Sequence, residues 1–354
     1  MSDLTATALA PQDANRTKVT YKSPTARGRL PVLILFLPPA LLLFTVFVIL
    51  PMGEAAWYSL YRWDGYGPPT EFVGVRNFQV LFNNSAFSQA LINNGLIIVV
   101  SLLLQIPLAI WLATMLAHKI TGVVAFRLIF FLPYVLADVA AGLIWRFVYD
   151  GDYGLFASVA GFLGVETPYV LADRGLAIYA VLAVILWKYF GFHMMLFIAG
   201  LQAVDKSVLE AAEIDGATGW QKFRYVTLPL LGSTVRLSVF FAVIGSLQLF
   251  DLIMPLTGGG PSNSTQTMVT FLYTYGVTRM QVGLGSAVGV VLFVICITLA
   301  FGYKRIFMRH DGYDIEGQND RRYPDLSLRF PVACGSSRSD PPGDYGAGGL
   351  QVAG

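Results

Sequence analysis

Seven polar or ionisable side chains interrupt long apolar runs of this chain, and they are the residues whose types could do chemistry there: Asn94, Gln105, Asp138, Lys188, His193, Gln248 and Asp251. Such groups are costly within a hydrocarbon layer, so each should face other protein or a watery path. Asp138, Lys188 and His193 could relay protons. Alternatively, Asp138 and Lys188 lie at similar depth and could neutralise each other, so that removing one partner harms the protein more than removing both.

Other chemistries lack the residues they need. The sequence shows no paired carboxylates, no histidine spacing typical of a metal centre, and only two distant cysteines, Cys296 and Cys334. It also lacks the G-x-x-x-x-G-K-[ST] phosphate loop of ATPases. We therefore expect no enzyme activity, no bound metal or cofactor and no nucleic-acid partner, and any ATP-driven work must enter from another chain.

The elements that carry these residues are apolar enough to cross a membrane. Hydrophobic residues make up 55% of the 354 positions and charged residues only 13%. A span needs about 20 mostly apolar residues. Six segments qualify: Pro31–Pro51, Ala90–Leu116, Val124–Val148, Leu176–Leu201, Ser233–Leu256 and Gly283–Phe307. The sequence predicts an all-α, polytopic protein with six transmembrane helices, surrounded by lipid in the cytoplasmic membrane.

Lysine and arginine gather on one predicted side of these spans. They precede the first span, follow the sixth, and cluster near residues 205–231, whereas the longer loops on the other side hold fewer. This asymmetry predicts that both termini and the 205–231 segment face the cytoplasm. We expect an N-terminal tail at residues 1–29, one membrane domain at 30–310, and a disordered tail at 311–354, which has no apolar periodicity.

The segment between the fourth and fifth spans, residues 205–231, is called the connecting segment below. It reads EAAEIDGATGWQKFRYVTLPLL from Glu210 to Leu231. Asp205 is a candidate N-cap for a helix through Ile214. Gly216, after Asp215, can adopt a left-handed conformation and end that helix.

A second short helix should follow, and the two together should form a rigid bend. Trp220 and Phe223 share one face at three-residue spacing, and Pro229 predicts a break before the fifth span. Ala211 and Ala212 are small enough to allow close approach of a partner. The alternative is an ordinary amphipathic connector on the membrane surface.

The connecting segment resembles the cytoplasmic motif of ABC importer permeases. That motif reads Glu-Ala-Ala, three residues, Gly, nine residues, Ile, one residue, Leu-Pro, and Val226 takes the place of its isoleucine here. FFLPYVLADVAAGLIW, WKYFGFHMM and FDLIMPLTGGGP are also similar to the six-span permeases of maltose-type carbohydrate importers. The resemblance implies that the residues coupling the chain to an ATPase are Glu210, Ala211, Ala212, Asp215, Gly216, Ala217, Trp220, Phe223, Leu228 and Pro229.

The resemblance also implies partners. A second, homologous permease would complete a heterodimeric pore, a cytoplasmic ABC ATPase dimer would use ATP and Mg, and an extracytoplasmic binding protein would deliver a sugar. Closure of the ATPase would switch the permeases from inward-facing to outward-facing.

The same resemblance implies a substrate path through the fourth and fifth spans. His193 occupies a position at which related permeases carry a sugar-contacting aromatic residue, although a lone histidine is more often a packing group. Its register implies further path residues: Tyr189, Phe190, Gly245, Ser246, Gln248 and Leu249. The alternative for Asp251 is that it caps its helix or holds the glycine-rich lip TGGGP, where the binding protein should dock.

Two other functions stay open. Asp138, Lys188 and His193 suit an ion-coupled secondary transporter, but that reading leaves the connecting segment unexplained. An ABC permease for glycerol phosphate would need pore-facing cations, of which Lys188 is the one candidate.

Overall fold

The computed structural model describes residues 26–117 and 122–307. Residues 1–25 and the predicted disordered tail, 311–354, lie outside the described residues. Within the described ranges the chain is mostly helical, with one short strand pair, β1 (Tyr61–Arg62) and β2 (Glu71–Phe72). The prediction of a mainly helical, apolar chain is therefore confirmed.

The helices of the first half include two five-residue π-helical turns. In chain order the elements are α1 (Ala26–Phe44), the π-turn Thr45–Ile49, α2 (Leu50–Tyr58), α3 (Arg76–Phe82), α4 (Ser85–Val100), the π-turn Ser101–Gln105, α5 (Ile106–Ala117), α6 (Val123–Val135), α7 (Asp138–Val148) and α8 (Leu155–Leu163).

The second half contains the longest uninterrupted helices and two further π-turns. Its elements are α9 (Ala177–Gln202), α10 (Lys206–Ile214), α11 (Gly219–Lys222), the π-turn Phe223–Thr227, α12 (Leu228–Leu230), α13 (Gly232–Leu247), α14 (Ile253–Leu256), α15 (Met268–Phe271), the π-turn Leu272–Thr278 and α16 (Val282–Phe307).

Four helices of the described chain are long and apolar enough to cross a membrane, and two bent helix pairs bring the number to six if each pair is one span. The bent pairs differ from the prediction. The third predicted span, Val124–Val148, bends by 97° between α6 and α7, because Leu136 and Ala137 are extended. The fifth, Ser233–Leu256, was predicted too long, since α13 ends at Leu247.

Three of the four π-turns in the described chain lie two residues before a proline, namely Pro51, Pro107 and Pro229. A proline ring clashes with the carbonyl four residues earlier, which here falls in the middle of each π-turn. The wider turn leaves room for the ring without ending the helix. The helix continues through Pro229, and the break predicted before the fifth span comes two residues later, as a 69° bend after Leu230.

Helix α9 lies at the centre of the bundle. It packs against α5 and α6, and its residues Val181, Val184 and Phe197 are fully buried. At Gly191 an added Cβ would collide with the carbonyl of Phe130, so this glycine allows α6 and α9 to touch. By contrast, the apolar window of α1 and α2 is exposed throughout, as expected for a helix that faces lipid.

Candidate functional site

The connecting segment begins with a capped helix. The Asp205 carboxylate accepts a hydrogen bond from the backbone N–H of Ser207 at 2.9 Å, which confirms Asp205 as the N-cap of α10. This hydrogen bond lowers the pKa of the carboxyl, so the cap is charged at neutral pH. The first turn of α10 is thus capped by a charged side chain.

The bend between α10 and α11 is held at three points. Gly216 has φ +78°, the left-handed conformation predicted for it. Thr218 and Gln221 form a reciprocal capping box that begins α11. The ammonium of Lys222 pairs with the Glu213 carboxylate and joins the two helices directly.

Lys222 also lowers the pKa of Glu213, by its hydrogen bond and then by its charge. Because the pKa of Glu213 is lowered in the folded state, the pair stabilises the bend at pH values above the usual pKa of glutamate. This contribution is lost only as the pH falls through the lowered pKa. At neutral pH the bend is therefore held fully.

The outer surface of the bend carries two large apolar side chains. Ile214 is 87% exposed and Trp220 is 70% exposed. Large exposed apolar side chains placed together are typical of a surface that binds another protein. The predicted residues Glu210, Ala211, Asp215, Gly216 and Pro229 are also exposed.

The other predicted residues of the connecting segment turn towards the bundle. Ala212, Ala217, Phe223 and Leu228 are half-buried. Phe223 and Leu228 pack against the apolar core that α5, α9 and α13 share. The rings of Trp220 and Phe223 are 5.7 Å apart. The face predicted for them therefore runs from the exposed surface into the core, and it ties the bend mechanically to the spans.

A second cluster lies where the third span breaks. Lys188 is 1% exposed, and its ammonium is 3.1 Å from the Asp138 carboxylate. It also donates hydrogen bonds to the carbonyls of Pro133 at 3.0 Å and Tyr134 at 3.1 Å, and to that of Leu136.

The geometry explains why this charge is buried there. The last carbonyls of a helix have no partner within it, and the end of α6 directs several of them at Lys188. Asp138 stands in the first turn of α7, where a negative charge interacts favourably with the helix dipole. Lys188 thereby connects the two halves of the broken span. Its ammonium is surrounded by four acceptors, one carboxylate and three backbone carbonyls.

Beside this cluster is a cavity of about 520 Å³. Rings from three helices and from the loop after α13 form much of its wall: Tyr134, Tyr189, Phe192, Phe241 and Phe250. The lining also includes polar or small groups, namely Ser101, Gln105, Asp138, His193, Gly245, Ser246, Gln248 and Asp251, and the aliphatic residues Ile185, Ala242 and Leu249. Aromatic walls with a few placed polar groups are typical of a pocket for a small molecule.

The cavity brings together most of the predicted path residues. Of those seven, Tyr189, His193, Gly245, Ser246, Gln248 and Leu249 line it. Phe190 does not, because its buried ring packs edge-on against Phe130 with centroids 5.7 Å apart. Tyr134, Phe192, Phe241 and Phe250 were not predicted, since an aromatic residue within an apolar run carries no sign of which way it faces.

Two buried polar groups of the cavity differ in how they are satisfied. The Nδ1 atom of His193 lies 2.7 Å from the hydroxyl of Ser238, so one ring nitrogen is held by packing while the ring lines the cavity. Gln105 is 2% exposed, and its Oε1 atom has no hydrogen-bond partner among the described residues.

Asp251 has neither of the structural roles considered for it. It lies in the break between α13 and α14, lines the cavity, and makes no side-chain hydrogen bond or ion pair with any described residue. Helix α14 begins after Leu252 without a side-chain cap. Its carboxylate is therefore available to whatever enters the cavity.

The segment after α14, residues 257–267, begins with the glycine-rich sequence TGGGP that was predicted to form an outer lip. Gly258 and Gly259 do have positive φ, 62° and 84°. Thr265 and Thr267, however, are fully buried, and the Thr267 hydroxyl donates to the carbonyl of Leu249 at 2.9 Å. Its second half therefore forms part of the interior next to the cavity.

Two asparagines of α4 fix this segment. Asn93 donates from its amide nitrogen to the carbonyls of Ser264 and Gln266, both at 2.8 Å. Asn94 accepts from the backbone N–H of Met268 at 2.9 Å and donates to the carbonyl of Ser246 at 2.8 Å. The polar residue Asn94 is thus a structural clamp behind the cavity.

Comparison with known proteins identifies the family. The sequence profile described as "Binding-protein-dependent transport system inner membrane component" matches residues 105–310. The chain belongs to this family. As an ABC importer permease it is a multi-pass protein of the cell membrane and no enzyme, and it works with a binding protein and an ATPase.

Individual relatives agree with this assignment. The permease is 32% identical over 336 residues to the diacetylchitobiose uptake system permease protein NgcF of Streptomyces coelicolor, with 91% of this chain and 93% of that protein covered. It is 32% identical over 277 residues to the sn-glycerol-3-phosphate transport system permease protein UgpA of Agrobacterium fabrum, with 78% and 94% covered.

A solved structure supports the fold. The permease matches the crystal structure of a bacterial ABC transporter involved in the import of the acidic polysaccharide alginate with a TM-score of 0.68 and 23% identity, covering 79% of this chain and 97% of that chain.

Among the described residues there is no group of three or more histidine, cysteine, aspartate or glutamate side chains that could hold a metal ion.

Proposed function

We propose that this permease forms half of the translocation path of an ATP-driven sugar importer, in a heterodimer with a second, homologous permease. We further propose six spans within residues 30–310, with the bent pair α6–α7 as the third span and α13 as part of the fifth, and both termini in the cytoplasm. The permease binds no cofactor of its own, and the ATP and Mg are used by the ATPase dimer.

The observation that carries this proposal is the exposed, rigid connecting segment. A loop that transmits movement must resist bending. This one has a capped first helix, a left-handed glycine at the bend and a Glu213–Lys222 pair across it. Ile214 and Trp220 place two large, exposed apolar side chains on its outside. We propose that residues 205–231 are a coupling loop whose outer surface sits in a cleft of the ATPase.

The sugar assignment rests on the cavity. Aromatic rings can stack on the apolar face of a sugar, while Gln105, His193, Ser246 and Gln248 offer groups that bond hydroxyls. The relative NgcF is named for uptake of a disaccharide. Since the chain belongs to a binding-protein-dependent family, an ion-coupled secondary transporter is no longer a competing function.

Uptake by the assembled importer tests the proposal. In membrane vesicles, accumulation of a labelled sugar should require ATP and should persist when a proton ionophore removes the proton gradient. Glu210→Lys reverses a charge on the proposed contact surface, and it should abolish uptake while the permease remains in the membrane at normal abundance.

A matched control keeps this test specific. Glu166→Gln also changes an exposed glutamate, but in the loop between α8 and α9, and it should leave uptake unchanged. Uptake that survives Glu210→Lys, or that collapses with the proton gradient alone, would overturn the proposal.

A further inference from the structure

An anionic solute would require positively charged side chains in the cavity wall, and no lysine or arginine among the described residues lines this cavity. Five of its lining side chains can ionise: Tyr134, Asp138, Tyr189, His193 and Asp251. Tyrosine and histidine side chains are largely neutral at physiological pH. The charge of the cavity therefore depends on the two aspartates and on any cation near them.

The cation near the cavity is already neutralised. Lys188 is buried against Asp138 and three backbone carbonyls, so it has no hydrogen-bond donor left for a substrate. The Tyr189 hydroxyl also donates to Asp138, at 2.9 Å. Asp251, which has no partner among the described residues, then leaves the cavity with one net negative charge.

A second, independent feature points to a ligand. Gln105 is 2% exposed and lines the cavity, and one polar atom of its amide has no hydrogen-bond partner among the described residues. Burial of an unsatisfied amide is costly, so a group that enters the cavity and hydrogen-bonds this amide is favoured. A sugar hydroxyl can do so, because it both donates and accepts.

From these two features we infer that the cavity selects neutral saccharides, with Gln105 as a hydrogen-bonding contact and Asp251 as the residue that repels anionic solutes. This inference rests on the proposed function and narrows it. A carboxylate or phosphate brought beside Asp251 is repelled, whereas a neutral disaccharide meets the same aromatic walls without that cost. UgpA and the alginate importer are named for anionic solutes, and NgcF for a neutral one.

Direct binding to the membrane complex tests the inference without the selectivity of the binding protein. The permease, purified with its partner permease and ATPase in lipid nanodiscs, would be titrated with diacetylchitobiose, maltose, an alginate disaccharide and sn-glycerol-3-phosphate, and binding followed by saturation-transfer NMR. We expect the neutral disaccharides to bind at least about tenfold more tightly than either anion, which corresponds to about 1.4 kcal/mol.

Two substitutions assign the selectivity to residues. Asp251→Asn should reduce the preference for neutral over anionic solutes to about threefold or less, mainly by tightening the binding of the anions. Glu166→Gln removes one charge away from the cavity and should leave the preference unchanged. Gln105→Leu should weaken neutral binding about three- to tenfold, without lowering the unfolding temperature, since it removes a buried amide that is not satisfied in the empty cavity.

The possible failures can be told apart. Equal binding of neutral and acidic disaccharides, a preference that Asp251→Asn leaves unchanged, or no saccharide binding in the nanodiscs would overturn the inference, while ATP-dependent sugar uptake still supported the proposed function. Binding of sn-glycerol-3-phosphate with no saccharide binding would overturn both.

Discussion

Lys188 illustrates what a single buried charge does in this fold. The sequence alone predicted a partner at similar depth, Asp138, and the ammonium does lie 3.1 Å from that carboxylate. It did not predict the three backbone carbonyls that Lys188 also binds. These carbonyls are free only because the third span breaks at Leu136 and Ala137, and no residue pattern marked that break strongly.

The carbonyl contacts change what substitution at this pair should do. Lys188→Met leaves Asp138 and several carbonyls without their partner, and we expect it to lower the free energy of unfolding by about 2–4 kcal/mol. Asp138→Asn should cost less, because Lys188 keeps its carbonyls. The double variant should recover only the part due to Asp138, and not the full loss.

Thermal unfolding of the purified permease measures these differences. Lys304→Met, at an exposed site near the end of α16, serves as the control and should have little effect. A Lys188→Met protein as stable as the parent would contradict the role given to Lys188 at the break.

At the scale of elements, the connecting segment was predicted better than the spans beside it. Its signals are local: an N-cap at Asp205, a breaker at Gly216 and a paired face at Trp220 and Phe223 all appear in the structure. The chain bends within the third predicted span and just before the fifth. Pro229 marked the bend before the fifth span to within two residues, whereas nothing in the sequence marked the bend at Leu136 and Ala137.

The glycine at the bend offers a matched pair of substitutions. Gly216 has φ +78°, whereas Gly219 has no positive φ, and an added Cβ would meet no atom within 4 Å at either position. Gly216→Ala must strain the bend by about 1–2 kcal/mol, while Gly219→Ala should be neutral or slightly stabilising.

Sugar uptake per ATP hydrolysed is the quantity to compare in these two variants. We expect the ratio to fall for Gly216→Ala and to stay at the parent value for Gly219→Ala, with both proteins equally abundant. Equal ratios would show that the conformation of the bend does not matter for coupling.

For the whole molecule, the sequence predicted a helical membrane permease and most of the polar residues that line its cavity. It did not predict most of the aromatic residues of the cavity wall. Polar residues within apolar runs marked most of the path, because a polar side chain inside a span is costly unless it faces other protein or a watery cavity. The aromatic wall stayed hidden, since Phe192 and Phe241 look alike whether they face lipid or a cavity. Asp251 was a candidate for the path or for a structural role, and it lines the cavity without a side-chain partner among the described residues.

The proposed coupling depends most on contact between the connecting segment and a separate ATPase. A photo-reactive benzoylphenylalanine placed at Trp220, in cells that express the complete importer, tests that contact directly when the cross-linked products are identified by mass spectrometry. We predict an adduct with the ATPase subunit from position 220 and none from position 166. The absence of an ATPase adduct at position 220, or an equal yield from position 166, would contradict the account.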